Sequence, residues 1–125
     1  AIILPPRDIF LNDRQYFATK VHELFHWAES RLGWIGSVDQ GELIAEIGTG
    51  YLESEFGLQH DDDMTNCKKW LPEWISHIEK KPRYLFEAAA QAAKTIEYFF
   101  DLQLQKLMVE STEDFSTGEF IQEPK

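Results

Sequence analysis

The sequence predicts a mainly α-helical domain of about four helices, or an α+β domain if the ends of the chain add a small edge strand or hairpin. Apolar residues recur at helical spacing through most of the 125 residues, and Gly and Pro divide them into helix-length segments. Only the two ends carry strand or turn signals. With 43% apolar residues, a chain of this length can bury one core without disulfides.

The first helix is predicted from about residue 14 to 31, after an extended entry. Pro5 and Pro6 prevent a helix near the start and allow one edge strand there. Asn12 or Asp13 is a suitable N-cap for the helical apolar spacing that follows.

A second helix is predicted between Gly36 and Gly57, joined to the first by a short connection. Gly48 and Gly50 lie inside it and each costs about 1 kcal/mol relative to Ala, so we expect a neighbouring helix to approach closely at both. The apolar positions that mark this helix are Leu43, Ile44, Ile47, Tyr51 and Leu52.

Two further helices are predicted after a polar loop over residues 59–66, which lacks the glycine and final carboxylate of a calcium loop. Pro72 either begins or kinks the third helix, and Pro82 suits the first position of the last one. The third helix is marked by Trp70, Leu71, Trp74, Ile75 and Ile78. The inward stripe of the last helix is predicted to be Leu85 or Phe86, Ala89, Ala93, Ile96, Phe99 or Phe100, and Leu107.

The domain is predicted to occupy residues 1–108. Residues 109–125 turn polar and predict a tail or a marginal hairpin, with a turn at Thr117-Gly118.

Charge and composition exclude several classes of protein. A formal net charge of −10 argues against direct binding to a nucleic-acid backbone, which draws on clustered Lys and Arg. Cys67 is the single cysteine, which excludes an intramolecular disulfide and a Cys-rich zinc module. No apolar run reaches the roughly 20 residues that span a bilayer, and the start lacks the features of a signal peptide. We therefore predict a cytoplasmic protein without a membrane partner.

The stretch His22-Glu23-Leu24-Phe25-His26 is a candidate metal site. On a helix, residues four apart lie on one face, so His22 and His26 can converge on one ion. Glu23 lies beside them, where it can take a proton from a metal-bound water as a general base. The alternative is a solvated helical face, with Leu24 and Phe25 packed in the core.

Two carboxylates of the second helix are candidates for a third ligand. Glu42 and Glu46 are four residues apart and share a face. If one binds the metal, the other can accept a hydrogen bond from the second ring nitrogen of a ligand histidine. The alternatives are a capping box formed by Asp39 with Glu42, and an ordinary exposed helix position for Glu46.

The acidic pair after the histidine helix looks like the gluzincin arrangement. In that arrangement the first acid is the third zinc ligand and the second supports a histidine. The resemblance therefore assigns Glu42 to the metal and Glu46 to the support of a ligand histidine.

A closer match extends from Ile3 to about Phe100. The residues that carry it are Leu4–Pro6, Phe10, Tyr16–Thr19, His22–Trp27, Arg31-Leu32, Glu42–Gly48, Glu55–Leu58, Trp74–Lys81, Phe86–Lys94 and Tyr98. Together they resemble the zincin-like metallopeptidase domain of ArdC-type antirestriction proteins and TraC-type plasmid primases. The segment 66–72 departs from the Ala-rich, Tyr-containing helix that this family tends to show.

This resemblance implies a minimal zincin-like metallopeptidase fold with the metal site between the first two helices. It implies zinc as the cofactor, a peptide or protein as the substrate, and catalysis by Glu23 on zinc-bound water. It also implies a parent protein with an N-terminal single-stranded-DNA-binding domain or another DNA-processing partner.

Two other functions are compatible with the sequence. An acidic, non-catalytic antirestriction or interaction module could mimic DNA and keep a merely structural metal, and a degenerate zincin could bind metal without turnover. His60, Tyr51 and Tyr16 are weaker candidates for stabilising a developing oxyanion. His77 and Cys67 are expected to have no catalytic role.

Overall fold

Four α-helices and no strand make up the part of the chain that the computed structural model describes, residues 13–57 and 65–116, with side chains described through 109. The mainly α prediction of four helices is thus confirmed. The proposed edge strand near Pro5 and the turn at Thr117-Gly118 lie outside the described residues. The helices are α1 (Asp13–Arg31), α2 (Val38–Glu55), α3 (Thr65–Lys80) and α4 (Arg83–Ser116).

The chain divides into two compact units, Ala1–Thr95 and Ile96–Lys125. The first unit contains α1, α2, α3 and the beginning of α4, and it holds every residue of the site described below. No helix among the described residues has the length and apolar character needed to cross a membrane. The predicted domain boundary at residue 108 stays a prediction.

Helix α4 continues further than the predicted stripe. It runs to Ser116, so residues 109–116 are helical instead of forming a loose tail or a hairpin strand. The physical reason is the absence of a breaker: between Arg83 and Gly118 the sequence contains neither Gly nor Pro.

The connection between α1 and α2 is closed by local hydrogen bonds. Gly33 has a positive φ of 70°, and its N–H donates to the carbonyl of Ser30 at 3.2 Å. The N–H of Trp34 donates to the carbonyl of Glu29 at 2.9 Å, which completes a Schellman motif. The chain therefore reverses within a few residues, and α1 and α2 pack against each other.

Helix α2 begins at a different cap from the one considered in the sequence. Ser37 is the N-cap, and its hydroxyl accepts a hydrogen bond from the backbone N–H of Gln40 at 3.3 Å. The capping box of Asp39 with Glu42 is therefore wrong. Glu42 lies one turn inside the helix, where its carboxylate is available for other contacts.

Helix α2 lies close against α1 at Gly48. A Cβ there would overlap the ring of Phe25, which is only 2% exposed, so the close approach predicted at Gly48 is confirmed. The same prediction is wrong for Gly50, where a Cβ would meet nothing within 4 Å. Gly50 lies beside an open cavity instead. The core of the two helices consists of Val21, Phe25, Ala28, Leu43, Ile44, Ala45 and Leu52.

Helix α3 begins earlier than its apolar pattern predicts. It starts at Thr65, so Asn66 is helical and half-buried instead of part of a solvated loop, and Pro72 lies inside the helix instead of beginning it. Buried Trp74 donates from Nε1 to the backbone carbonyl of Asp39 at 2.7 Å. This bond holds the middle of α3 against the start of α2.

In its first turns, the buried face of α4 is offset by one residue from the predicted stripe, whereas Ile96 is buried as predicted. Ala89 and Ala93 are exposed, so that part of the prediction is wrong. Alanines stand on both sides of the stripe, and hydropathy cannot choose between them. The hydroxyl of Tyr84, which donates to Oδ2 of Asp39 at 2.8 Å, helps to set the orientation. The buried residues of α4 are Tyr84, Ala88, Ala92, Thr95 and Ile96.

Candidate metal centre

A cavity of about 360 Å³ lies between α1, α2 and the first turn of α3. On α1 the buried positions Val21, Phe25 and Ala28 face the core, and His22 and His26 stand at the edge of that face, half-buried. The helix therefore anchors the two histidines through their apolar neighbours. The lining of the cavity includes His22, Glu23, His26, Glu42, Glu46 and Asn66.

The two histidines and Glu42 converge on one point. His26 Nε2 is 2.6 Å from Glu42 Oε2, and His22 Nε2 is 3.3 Å from Glu42 Oε1. The two Nε2 atoms are 3.1 Å apart. One ligand atom from each of the three side chains lies within 4.8 Å of the others, a grouping that could hold a metal ion.

The Nδ1 atom of each histidine contacts a further carboxylate. Nδ1 of His22 is 3.3 Å from Glu46 Oε2, and Nδ1 of His26 is 2.8 Å from Glu29 Oε2. Because an ionised carboxylate only accepts, we assign a proton to Nδ1 in both rings, which directs Nε2 toward Glu42. Glu29 was missed in the sequence, although its position three residues after His26 places it on the same helix face.

The first turn of α3 supplies three further hydrogen bonds, from two residues, that the sequence did not predict. Nδ2 of Asn66 donates to Glu42 Oε1 at 3.2 Å and to Glu46 Oε1 at 3.5 Å. Sγ of Cys67 donates to Glu46 Oε1 at 3.1 Å. No local pattern connects these residues to the histidines, because the contacts depend on the docking of α3 against α2.

Comparison with known proteins identifies the family. The chain matches the family model described as zincin-like metallopeptidase over residues 1–91. It belongs to this family. The resemblance predicted from the sequence is thus confirmed, and the candidate metal centre lies inside the matched region of this zincin-like domain.

Two proteins of Escherichia coli, both named DNA primase TraC, are similar to the zincin-like domain. One is 34% identical over 108 residues, which is 78% of this chain and 7% of the primase. The other is 30% identical over 123 residues, which is 90% of this chain and 11% of the primase. The chain thus spans about a tenth of the length of these relatives. No solved structure matches it.

The electrostatics of the zincin-like site favour protonated histidines beside an ionised Glu42. Burial opposes the charged form of His22, but its bonds and charge interactions with Glu42 and Glu46 raise its pKa to about 9. The bond to Glu42, which outweighs burial, also raises the pKa of His26. Burial alone would raise the pKa of Glu42, yet the two histidines hold it well below its usual range. A proton therefore occupies this cluster near neutral pH, and a metal cation would replace it.

Next to the candidate ligands, Glu46 is ionised and Cys67 keeps its thiol proton. Burial would raise the pKa of Glu46, but the bonds from His22 and Cys67 lower it. Burial and the neighbouring Glu46 raise the pKa of the Cys67 thiol to about 12. Glu46 is thus an anionic acceptor and Cys67 a protonated donor, so the thiol of Cys67 donates the hydrogen bond of 3.1 Å to Glu46.

Glu23 of the zincin-like motif also lines the cavity and is half-buried. The structure therefore places all five residues predicted from the sequence around one space. Among the weaker candidates, Tyr51 is 51% exposed, and neither it nor Tyr16 lines the cavity. His77 contacts Asp39 elsewhere on α2, and His60 lies outside the described residues.

Proposed function

We propose that the domain is a zinc-dependent metallopeptidase whose metal is held by His22, His26 and Glu42. The observation that carries this proposal is the convergence of two imidazole Nε2 atoms and one carboxylate in the cavity that Glu23 lines. Two histidines and a glutamate are a common protein ligand set of catalytic zinc, which keeps a further position for water or substrate.

The donor set fits zinc in its orientation as well as in its chemistry. Both Nδ1 atoms face carboxylates, Glu46 and Glu29, so both Nε2 lone pairs are directed at the shared point. Such carboxylate contacts fix the tautomer and raise the basicity of a ligand imidazole. When bound, zinc supplies a Lewis acid that polarises a carbonyl group and lowers the pKa of water.

Glu23 would supply the proton transfers of hydrolysis. It follows His22 in α1 and lies at the cavity wall, where its carboxylate can take a proton from the attacking water and deliver it to the leaving amine. Glu46 would keep the ring of His22 in place without contacting the substrate. The proposed substrate is accordingly a peptide or protein.

The relatives suggest where such a domain works. Because both are named DNA primase TraC and are much longer than this chain, we propose that the domain acts within or beside a larger DNA-processing protein. The acidic DNA-mimic alternative receives less support. Glu29, Glu42 and Glu46 are directed at histidines instead of forming an acidic surface.

The test combines metal analysis with one conservative substitution. Protein purified without added zinc should contain about one zinc per chain, and Glu23→Gln should keep the metal while hydrolysis of fluorescein-labelled casein falls about 100-fold or more. Glu79→Gln, an exposed glutamate on α3, serves as the matched control and should retain full activity. Hydrolysis that survives in Glu23→Gln would exclude this mechanism, and a metal-loaded wild type without turnover would indicate a degenerate zincin.

A further inference from the structure

The first turn of α3 lines the cavity together with α1 and α2. Asn66 and Cys67 are both half-buried, both line the cavity, and both donate to carboxylates of α2. Neither residue belongs to the histidine motif or to the acidic pair. Their contacts therefore form a separate layer around the candidate ligands.

Asn66 bridges the two acidic residues. An amide NH₂ group has two donor hydrogens, and its nitrogen lies 3.2 Å from Glu42 Oε1 and 3.5 Å from Glu46 Oε1. Glutamates four apart on a helix repel each other and tend to splay. A neutral donor between them reduces that repulsion and keeps both carboxylates facing α1.

The two carboxylate oxygens of Glu46 have different partners. Oε1 accepts hydrogen bonds from Asn66 and Cys67, and Oε2 is 3.3 Å from Nδ1 of His22. Because α3 holds the first oxygen, the second stays directed at the histidine. The orientation of His22 therefore depends on α3 as well as on α2, which carries its partner Glu46.

We propose that the first turn of α3 positions the metal centre, with Asn66 holding Glu42 and Glu46 and Cys67 holding Glu46. Both are positioning residues, since they act through the carboxylates and not on the substrate. This inference rests on the proposed zinc site. It adds α3 to the two helices that carry the candidate ligands.

The docking of α3 does not depend on these two side chains alone. Buried Trp74, two turns further along, donates to the backbone carbonyl of Asp39 at 2.7 Å. Substitutions at Asn66 or Cys67 therefore leave the main anchor of α3 in place. Their effect on metal binding can be separated from an effect on folding.

The experiment measures metal affinity instead of activity. Metal-free full chain is titrated with Co²⁺, followed by its visible absorption, and with Zn²⁺ in competition with a chromophoric chelator. Asn66→Ala and the similarly sized Asn66→Leu should both weaken binding about 10-fold to 100-fold and alter the Co²⁺ spectrum, as expected for lost outer-shell bonds. Ser76→Ala, at an exposed position of α3, should change neither.

A second pair of variants tests the hydrogen bond itself. Cys67→Ala should weaken metal binding, and Cys67→Ser should restore most of it, because a hydroxyl can again donate to Glu46. Circular dichroism of each metal-free variant checks that the helices are intact. If the Asn66 variants lose helical signal, the Cys67 variants alone test whether the first turn of α3 positions the metal centre.

The outcomes separate the two proposals. A wild type that binds no zinc would overturn the proposed function. A wild type that binds zinc, with unchanged affinity and spectrum in folded Asn66→Ala and Asn66→Leu, would overturn the role of Asn66 only. Equal affinities for Cys67→Ala, Cys67→Ser and wild type would overturn the role of Cys67.

Discussion

Helix α2 contributes the carboxylate to two clusters whose histidines come from other helices, and the clusters differ in what satisfies that carboxylate. Near the start of α2, Oδ2 of Asp39 accepts from the hydroxyl of Tyr84 at 2.8 Å and lies 2.9 Å from His77 Nε2. One turn further, Glu42 faces the Nε2 atoms of His22 and His26. The residue types are alike, but the number of facing imidazoles is not.

The Asp39 cluster is complete without a cation. The ring of His77 stacks on Tyr84 with centroids 4.8 Å apart, and the hydroxyl of Tyr84 supplies a neutral donor. Together with the bond from Trp74, these contacts join α2 to α3 and α4. We therefore interpret this cluster as a structural junction.

In the Glu42 cluster, the Nε2 atoms of His22 and His26 are 3.1 Å apart, and with Nδ1 protonated in both rings each Nε2 has a lone pair. A proton or a cation is needed to hold these atoms together with the carboxylate of Glu42. A histidine beside an acid is therefore not by itself a metal site. Two facing Nε2 atoms, each fixed by a carboxylate on Nδ1, provide the stronger indication.

The largest expected effect comes from removing a histidine of the Glu42 cluster. His26→Ala should lower zinc affinity by at least about 100-fold, because it deletes a ligand instead of an outer-shell contact. His77→Ala is the matched control and should leave zinc affinity unchanged. Zinc content after dialysis, and competition with a chelator, provide the measurement. Equal zinc loss in both variants would contradict the division into a metal cluster and a junction.

A smaller effect is expected from Tyr84→Phe. It removes one hydroxyl and leaves the carboxylate of Asp39 short of a donor, which should reduce the free energy of unfolding by about 2 kcal/mol. Urea unfolding of the metal-free protein measures this change. The zinc affinity should stay at the wild-type value. A variant of wild-type stability that binds zinc poorly would reverse the roles assigned to the two clusters.

Sequence patterns predicted the parts of this molecule that depend on local spacing. The four helices follow from apolar periodicity and from Gly and Pro, and His22 with His26 share a face because they are four residues apart. Glu42 and Glu46 were found by the same rule. The structure brings these residues together, and their assignment to a metal stays a prediction.

The missed features depend on packing between distant segments. Alanines stand on both sides of the α4 stripe, so the sequence could not determine its buried face. The hydrogen bond from Tyr84 to Asp39, which helps to set the orientation of α4, depends on packing between distant segments. Asn66 and Cys67 reach the site only because α3 begins at Thr65 and docks on α2. Glu29 is the exception, since its spacing from His26 was visible in the sequence.

The smallest expected effect is a pH dependence of the free energy of unfolding that comes from Asp39 in the structural junction. Burial would raise the pKa of Asp39, but the bonds from Tyr84 and Ser37 and the neighbouring His77 hold it below its ordinary value of 3.8. A lowered folded pKa stabilises the protein above the ordinary value, and this contribution is lost as the pH falls through the folded pKa.

Asp39→Asn should therefore lower the free energy of unfolding by on the order of 1 kcal/mol at neutral pH. This difference from wild type should begin to shrink as the pH falls below about 4 and should disappear below the lowered pKa of Asp39 in the folded protein. Asp101→Asn, an exposed change on α4, should show no such difference. Urea unfolding of the metal-free proteins across this pH range measures both. A wild-type advantage that grows toward acid would mean that Asp39 is held protonated in the folded protein, and the bonds from Tyr84 and Ser37 could then not be what holds its carboxyl group.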